Sequence, residues 1–398
     1  MIPMLLQKEK VLQAIDIVRE EKVDVWMTIA RETSMNSDPV IPLISNVDFG
    51  GMTCVCITAE GKSICLASQL DSLGMSQGGM YDEVVDYGLD FEAGFAALME
   101  RLKPATMALN YSHDVAADGL THGLYLYVTS LLERFSPNTK VVSAENIIGK
   151  LRGRKTPEEV RRLRAAAEAT MVILREVIDF IDVGKSQKDI HAFCQERIAA
   201  HGWENAWEAA QNPGVFIGPN PTIGHAGPGD RKVEPGDLIN LDFGVKVDDY
   251  CSDIQRTYYM LKDGEEDIPE VYKKNLRDLQ DAIDEGMALM KPGIEGWKPD
   301  RAARDGLIKR GYPEFKYSFG HQVGRSTHDG GVSMSKLRPG KPTTATRPLE
   351  EGVVLTVDAN LYLDRGRIGQ EDVTYIGKNG AEFISERQDR IWLCHGKK

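Results

Sequence analysis

The sequence predicts an α+β chain in two parts: a smaller α/β domain over residues 1–150 and a larger domain of helices and antiparallel sheet over 151–398. Three observations carry this expectation. The 398 residues exceed one typical domain and allow a large core. Residues 1–150 alternate between helical and strand patterns. Beyond them, two pairs of helical patterns are each followed by a strand hairpin carrying two carboxylates.

In the first part a helix is expected near 5–21, then a strand at VDVWMTIA. The run MTCVCITAEGKSICLAS predicts a hairpin turning at Glu60-Gly61. A helix near 91–103, the short strand TMALN and a helix over 115–134 follow. Residues 149–156 (GKLRGRKT) are basic and contain glycine, and are expected to form the linker.

The second part opens on a helix start: Thr156 as N-cap, Pro157 at the first helical position, and Glu158 and Glu159 in the first turn. Apolar residues at 160, 163, 167, 171, 174 and 178 keep helical spacing. A second helix is expected over 186–202, and a comparable pair over 268–291 and 296–310. No close repeat is visible, yet the order hints at two related halves.

In the first hairpin, LINLDFGVKVDDYCSDIQRTYYM, a turn at Asp248-Asp249 pairs Val247 with Tyr250 and so Asp242 with Gln255. Asp253 is then the diagonal neighbour of Asp242 on one face. In the second, GVVLTVDANLYLDRGRIGQEDVTYI, a turn at Asp364-Arg365 sets Asp358 opposite Glu371, and one at Arg365-Gly366 makes them diagonal. Either even-length loop keeps both acids on one face. Four converging carboxylates would repel strongly unless cations neutralised them, and two divalent ions could do so. His321 lies among glycines in SFGHQVG with His328 seven residues on, and His225 lies in IGHAGPG. Glycine lets the backbone come close to a ligand. His113, His122, His191, His201 and His395 lack such a setting and are taken as structural.

A net charge of −12 argues against a nucleic-acid surface. No run of 18 apolar residues is present to span a membrane. The first residues lack a secretory layout, and six scattered cysteines read as reduced core residues. A cytoplasmic protein is expected.

These residues resemble the pita-bread metallopeptidases: methionine aminopeptidase, prolidase, aminopeptidase P and the metal-free creatinase. The matching motifs are Asp242-Phe-Gly with Asp253 eleven residues on, Gly320-His321-Gln-Val-Gly324 with His328, and Glu371-Asp372. The resemblance runs from about 151 to 380, and the N-terminal domain is similar to that of the prolidase, aminopeptidase P and creatinase branch. It implies a pseudo-twofold pita-bread catalytic domain with two divalent metal ions. Mn is expected first, with Fe, Co or Zn also suited to oxygen ligands and one imidazole. Asp242, Asp253, His321, Asp358 and Glu371 would bind them, Asp253 and Glu371 bridging. It further implies that His225, His328 and Glu371 are catalytic, and that His225 and His328 contact the substrate. Arg367 is carried as a substrate-binding residue. A homodimer is usual in this branch.

Three departures stand out. Asp358-Ala359-Asn360 replaces the family's Glu-Pro-Gly, Gly369 stands where the family commonly has Arg, and the segment RETSMNSDPVIPLISNVDFGG lacks a Tyr-Leu-Thr-Gly flavour. The function expected is a metal-dependent exopeptidase cleaving Xaa-Pro bonds of short peptides with a metal-activated hydroxide. Two alternatives stay open: a hydrolase or lyase of the same fold acting on a small non-peptide molecule such as creatine or ectoine, and a binding homologue without catalysis. Trp203, Trp207 and Phe216 could line a pocket or be core aromatics.

Overall fold

A computed structural model describes residues 5–219, 227–341 and 343–395, and the chain divides into two compact units, Met1–Arg152 and Gly153–Lys398. The first contains α1 (Leu6–Glu20), β1 (Val25–Ala30), α2 (Ile41–Ile44), β2 (Thr53–Thr58), β3 (Ser63–Ala67) and α3 (Ser72–Gly78). It continues with β4 (Glu83–Asp86), α4 (Phe91–Leu102), β5 (Thr106–Leu109), α5 (His122–Phe135), β6 (Lys140–Ser143) and α6 (Glu145–Gly153). Its six strands form one sheet in the order β4-β3-β2-β1-β5-β6. Alternate residues of β1 serve two cores, because successive side chains on a strand point to opposite faces. Trp26 and Ala30 pack with Val11, Val18, Ile44 and Ile148, while Val25, Met27 and Ile29 pack with Phe95, Met99, Val128 and Leu131. A sheet covered on both faces has strands that are largely apolar, and VWMTIA and TCVCIT are buried throughout, with only threonines among their apolar residues.

One expectation in this unit is corrected. The helix foreseen over 115–134 begins at His122. Asp114 caps a short 3-10 turn at Val115–Ala117, and Thr121 accepts from the Leu124 N–H to start the true helix. The division between the two units, after Arg152, falls inside the foreseen linker 149–156, and α6 runs into that segment as far as Gly153. Ile147, Ile148 and Leu151 lie at helical spacing and are buried in the unit's core. Lys150 and Arg152 fall in the last turn, where positive charge favours a helix.

The second unit contains α7 (Pro157–Phe180), α8 (Gln187–His201), β7 (Glu204–Asn205), β8 (Gly214–Ile217), β9 (Leu238–Phe243), β10 (Val245–Val247), β11 (Tyr250–Cys251) and β12 (Ile254–Met260). A second set follows: α9 (Glu270–Met287), α10 (Trp297–Lys309), β13 (Val354–Leu363), β14 (Gly366–Gly377), β15 (Gly380–Phe383) and β16 (Trp392–Cys394). The α7 start is a full capping box between Thr156 and Glu159. The central sheet runs β13-β14-β12-β9-β8, with α9 and α10 sharing a core with β13.

Both hairpins take the foreseen register. Asp248 (φ 48°) and Asp249 (φ 69°) make the tight turn, Val247 pairs with Tyr250, and Asp242 pairs with Gln255. The second turns at Asp364-Arg365, so Asp358 stands opposite Glu371. The hairpins are joined where β12 meets β14, at Gln255 opposite Glu371. Asp242, Gln255, Glu371 and Asp358 therefore form one row across four adjacent strands.

A buried ion pair secures that junction. The Arg256 Nη2 lies 2.6 Å from Asp372 Oδ1, and its Nη1 donates to the backbone oxygens of Gln255 and Glu371, each at 2.9 Å. Asp372 also accepts from Ser385 Oγ and Gln370 Nε2. Removing one member strands a buried charge, so Asp372→Ala is expected to destabilise the protein by about 3–5 kcal/mol. Urea unfolding measures this, and an unchanged midpoint would show that the pair does not hold the junction.

Candidate metal centre

Asp242 on β9 and Asp253 just before β12 come from one hairpin, Asp358 on β13 and Glu371 on β14 from the other. His321 is delivered by the segment alongside β13, where its backbone oxygen accepts from the Thr356 N–H at 2.9 Å. Gly320 makes that approach possible: a Cβ there would lie 2.0 Å from the Thr356 carbonyl oxygen. The His321 Nε2 is 3.4 Å from Asp253 Oδ2 and 3.7 Å from Glu371 Oε1. One ligand atom from each of Asp253, His321 and Glu371 lies within 4.8 Å of the other two, close enough to share a cation.

The electrostatics fit the same reading. Burial first, then repulsion from Asp242 and Asp358, pushes the Asp253 carboxyl well above its usual range. Glu371 is raised in the same way by burial and by its three acidic neighbours, with His321 opposing. Burial and Asp242 push Asp358 up to about 7, against the pull of Arg367 and His321. The Asp253 Oδ1 and Asp358 Oδ1 are buried with no hydrogen-bond partner. Orphaned anionic oxygens beside an imidazole are a donor set suited to divalent ions.

The other foreseen residues fall as follows. The His328 ring stands edge-on to His321 with centroids 4.3 Å apart, so both histidines are at the cluster. Arg367 donates to Asn240 Oδ1 at 2.6 Å and to Gln255 Oε1 at 3.0 Å, and its guanidinium lies 3.6 Å over the Phe216 ring. His225 lies outside the described residues. Trp203 stacks on His201, with ring centroids 4.3 Å apart. All six cysteines are free and buried.

Residues 161–382, more than half of the chain, match metallopeptidase family M24. The chain belongs to that family. Among M24-type relatives, a Xaa-Pro dipeptidase from Pyrococcus furiosus is 26% identical over 267 residues, covering 66% of this chain and 72% of its own. A putative Xaa-Pro aminopeptidase from Mycoplasma pneumoniae is 25% identical over 281 residues, covering 70% and 73%. The crystal structure of the X-Pro aminopeptidase from Thermotoga maritima MSB8 matches with a TM-score of 0.71 at 23% identity, covering 94% of this chain and 99% of that one. The fold is thus the two-domain pita-bread fold, and the chain is a hydrolase of the metallopeptidase class.

Gln255 and Asn240 escaped the sequence reading of this M24 site. A neutral amide carries no charge pattern, although Gln255 shares the strand face of Asp253 two residues away. Because the Asp358 carboxyl is raised from 3.8 to about 7 in the folded state, stability is lost as pH rises from the lower value to the upper one, where the acids become charged and bare. Added Mn2+ is therefore expected to raise the melting temperature, and by more at pH 8 than at pH 5.5. Thermal denaturation of chelator-treated protein, with and without Mn2+, measures this. Asp253→Asn and Glu371→Gln should abolish the shift.

Proposed function

We propose that this M24 protein is a metal-dependent exopeptidase that cleaves Xaa-Pro bonds in dipeptides or short peptides. The observation that carries the reading is the Asp253–His321–Glu371 cluster with orphaned oxygens beside it, in a chain of this family. Asp242, Asp253, His321, Asp358 and Glu371 would hold two divalent ions, Mn first. Bound there, the ions would supply Lewis acidity toward the scissile carbonyl and acidify a water molecule.

The chain's own residues would do the rest. Glu371, beside His321 in the cluster, is the proposed group that takes a proton from the attacking water and returns it to the leaving amine. His328, edge-on to His321, would offer a ring N–H to the oxygen on which negative charge develops. His225 is proposed for the same substrate contact. Arg367, fixed by Asn240, Gln255 and Phe216, adds positive charge on the Asp358 side and is the candidate for an anionic group of the substrate. Homodimeric assembly and a cytoplasmic location are proposed from the resemblance and the reduced cysteines. Among the described residues, no helix is long and apolar enough to cross a membrane.

Mn2+-loaded protein is expected to hydrolyse Ala-Pro, and Glu371→Gln, which removes a proposed metal ligand and the proposed base together, to lower kcat/KM by at least about a hundredfold. Proline release measures both. Protein that binds Mn2+ yet leaves every Xaa-Pro peptide intact would overturn the peptide substrate and favour a small non-peptide substrate on the same scaffold.

A further inference from the structure

We propose that Arg367 and Gln255 are a positioning pair for the metal centre, Arg367 orienting the Gln255 amide and Gln255 orienting the Glu371 carboxylate. The proposal rests on the metallopeptidase reading above. Gln255 is the neutral member of the row that otherwise holds Asp242, Glu371 and Asp358. Its Oε1 accepts from Arg367 Nη2 at 3.0 Å, and its Nε2 donates to Glu371 Oε2 at 2.7 Å.

The orientation of this amide is forced. A guanidinium has donors and no acceptor. The amide oxygen must therefore face Arg367, which leaves the amide nitrogen to face Glu371. Turning the amide over would oppose N–H to N–H at Arg367. With Oε2 engaged, Oε1 is the Glu371 oxygen turned toward His321, 3.7 Å from its Nε2. Gln255 thus selects which carboxylate oxygen is presented to a cation.

Arg367 is itself immobilised. It is 6% exposed, donates from Nε to Asn240 Oδ1 and covers the Phe216 ring. Residues 367, 369 and 371 share one face of β14, since side chains alternate along a strand. A Cβ at Gly369 would lie 2.8 Å from Gln255 Oε1 and 3.0 Å from the Asn240 amide. The missing side chain leaves the space in which Arg367 meets these two amides. Gly369, Arg367 and Gln255 are then one arrangement: the cation reaches the row from two residues earlier, with the amide relaying its position to Glu371.

The test is Mn2+ titration by calorimetry of full-length wild-type, Gln255→Met, Arg367→Met and doubly substituted protein, with the melting temperature of each metal-free protein alongside. Each single substitution should weaken Mn2+ binding about ten- to a hundredfold, the range for residues that orient metal ligands. In the double substitution the two losses should sum to less than additive, because Arg367 reaches Glu371 through the Gln255 amide while its charge also acts directly on Asp358. Metal-free Gln255→Met should still fold cooperatively, with a melting temperature lowered by the loss of two buried hydrogen bonds. Mn2+ affinity is then compared between folded proteins, and the double substitution separates positioning from a general structural role. Gly369→Ala, which crowds the amide without removing either partner, should weaken binding too, and keeps the test open if Arg367→Met does not fold. Wild-type affinity in Gln255→Met, or additive losses in the double variant, would overturn the pair and leave the metal reading standing. A wild-type protein that takes up no Mn2+ would overturn both.

Discussion

The centre depends on one strand junction, where β12 and β14 meet at Gln255 opposite Glu371. Each hairpin alone carries two acids on one face, too few to build the cluster. The junction sets the two faces edge to edge, so that Asp242, Glu371 and Asp358 form a single row with Asp253 and His321 beside it. Strand register has a period of two, so a slip of one residue would turn one hairpin's acids into the core. The tight turns at Asp248-Asp249 and Asp364-Arg365 guard against that slip from one side. Arg256 guards the junction itself, bonding to the backbone oxygens of both facing residues.

This arrangement sets two charge problems in adjacent layers, with opposite solutions. Behind the row, Arg256 and Asp372 are buried and neutralise one another within the protein, and the carboxylate's remaining capacity is met by Ser385 and Gln370. In the row itself, the acids outnumber the nearby cationic groups, and two oxygens have no partner. Burial and mutual repulsion then favour the protonated forms. A divalent ion relieves the repulsion without giving up the geometry, which is why a cluster unfavourable when bare is suited to metal-dependent hydrolysis.

Much of this was legible in the residues. Asp and Glu set in apolar, alternating strands announced themselves, because a charged side chain there needs a reason. His321 was marked by its flanking glycines, and the 2.0 Å clearance at Gly320 explains why one of them is glycine. Gln255, Asn240 and the path of Arg367 were not legible. Their contacts join β9, β12 and β14, and positions 112 to 127 residues apart have no shared local pattern. The division between the units falls within the foreseen linker, but its helical start was hidden: Gly and basic residues drew attention, while burial of Ile147, Ile148 and Leu151 carries α6 to Gly153.

By itself the sequence determined the local pieces: capped helices, the register within each hairpin, and which acids share a face. These follow from short-range rules of capping, turn geometry and strand alternation. The tertiary structure alone decided that two hairpins meet edge to edge, that Gly369 leaves room for the Gln255 and Asn240 amides, and that a neutral amide stands at the centre of an acidic row. Those outcomes depend on packing between residues distant in the chain, where space and hydrogen-bond complementarity, rather than local preference, choose the partner.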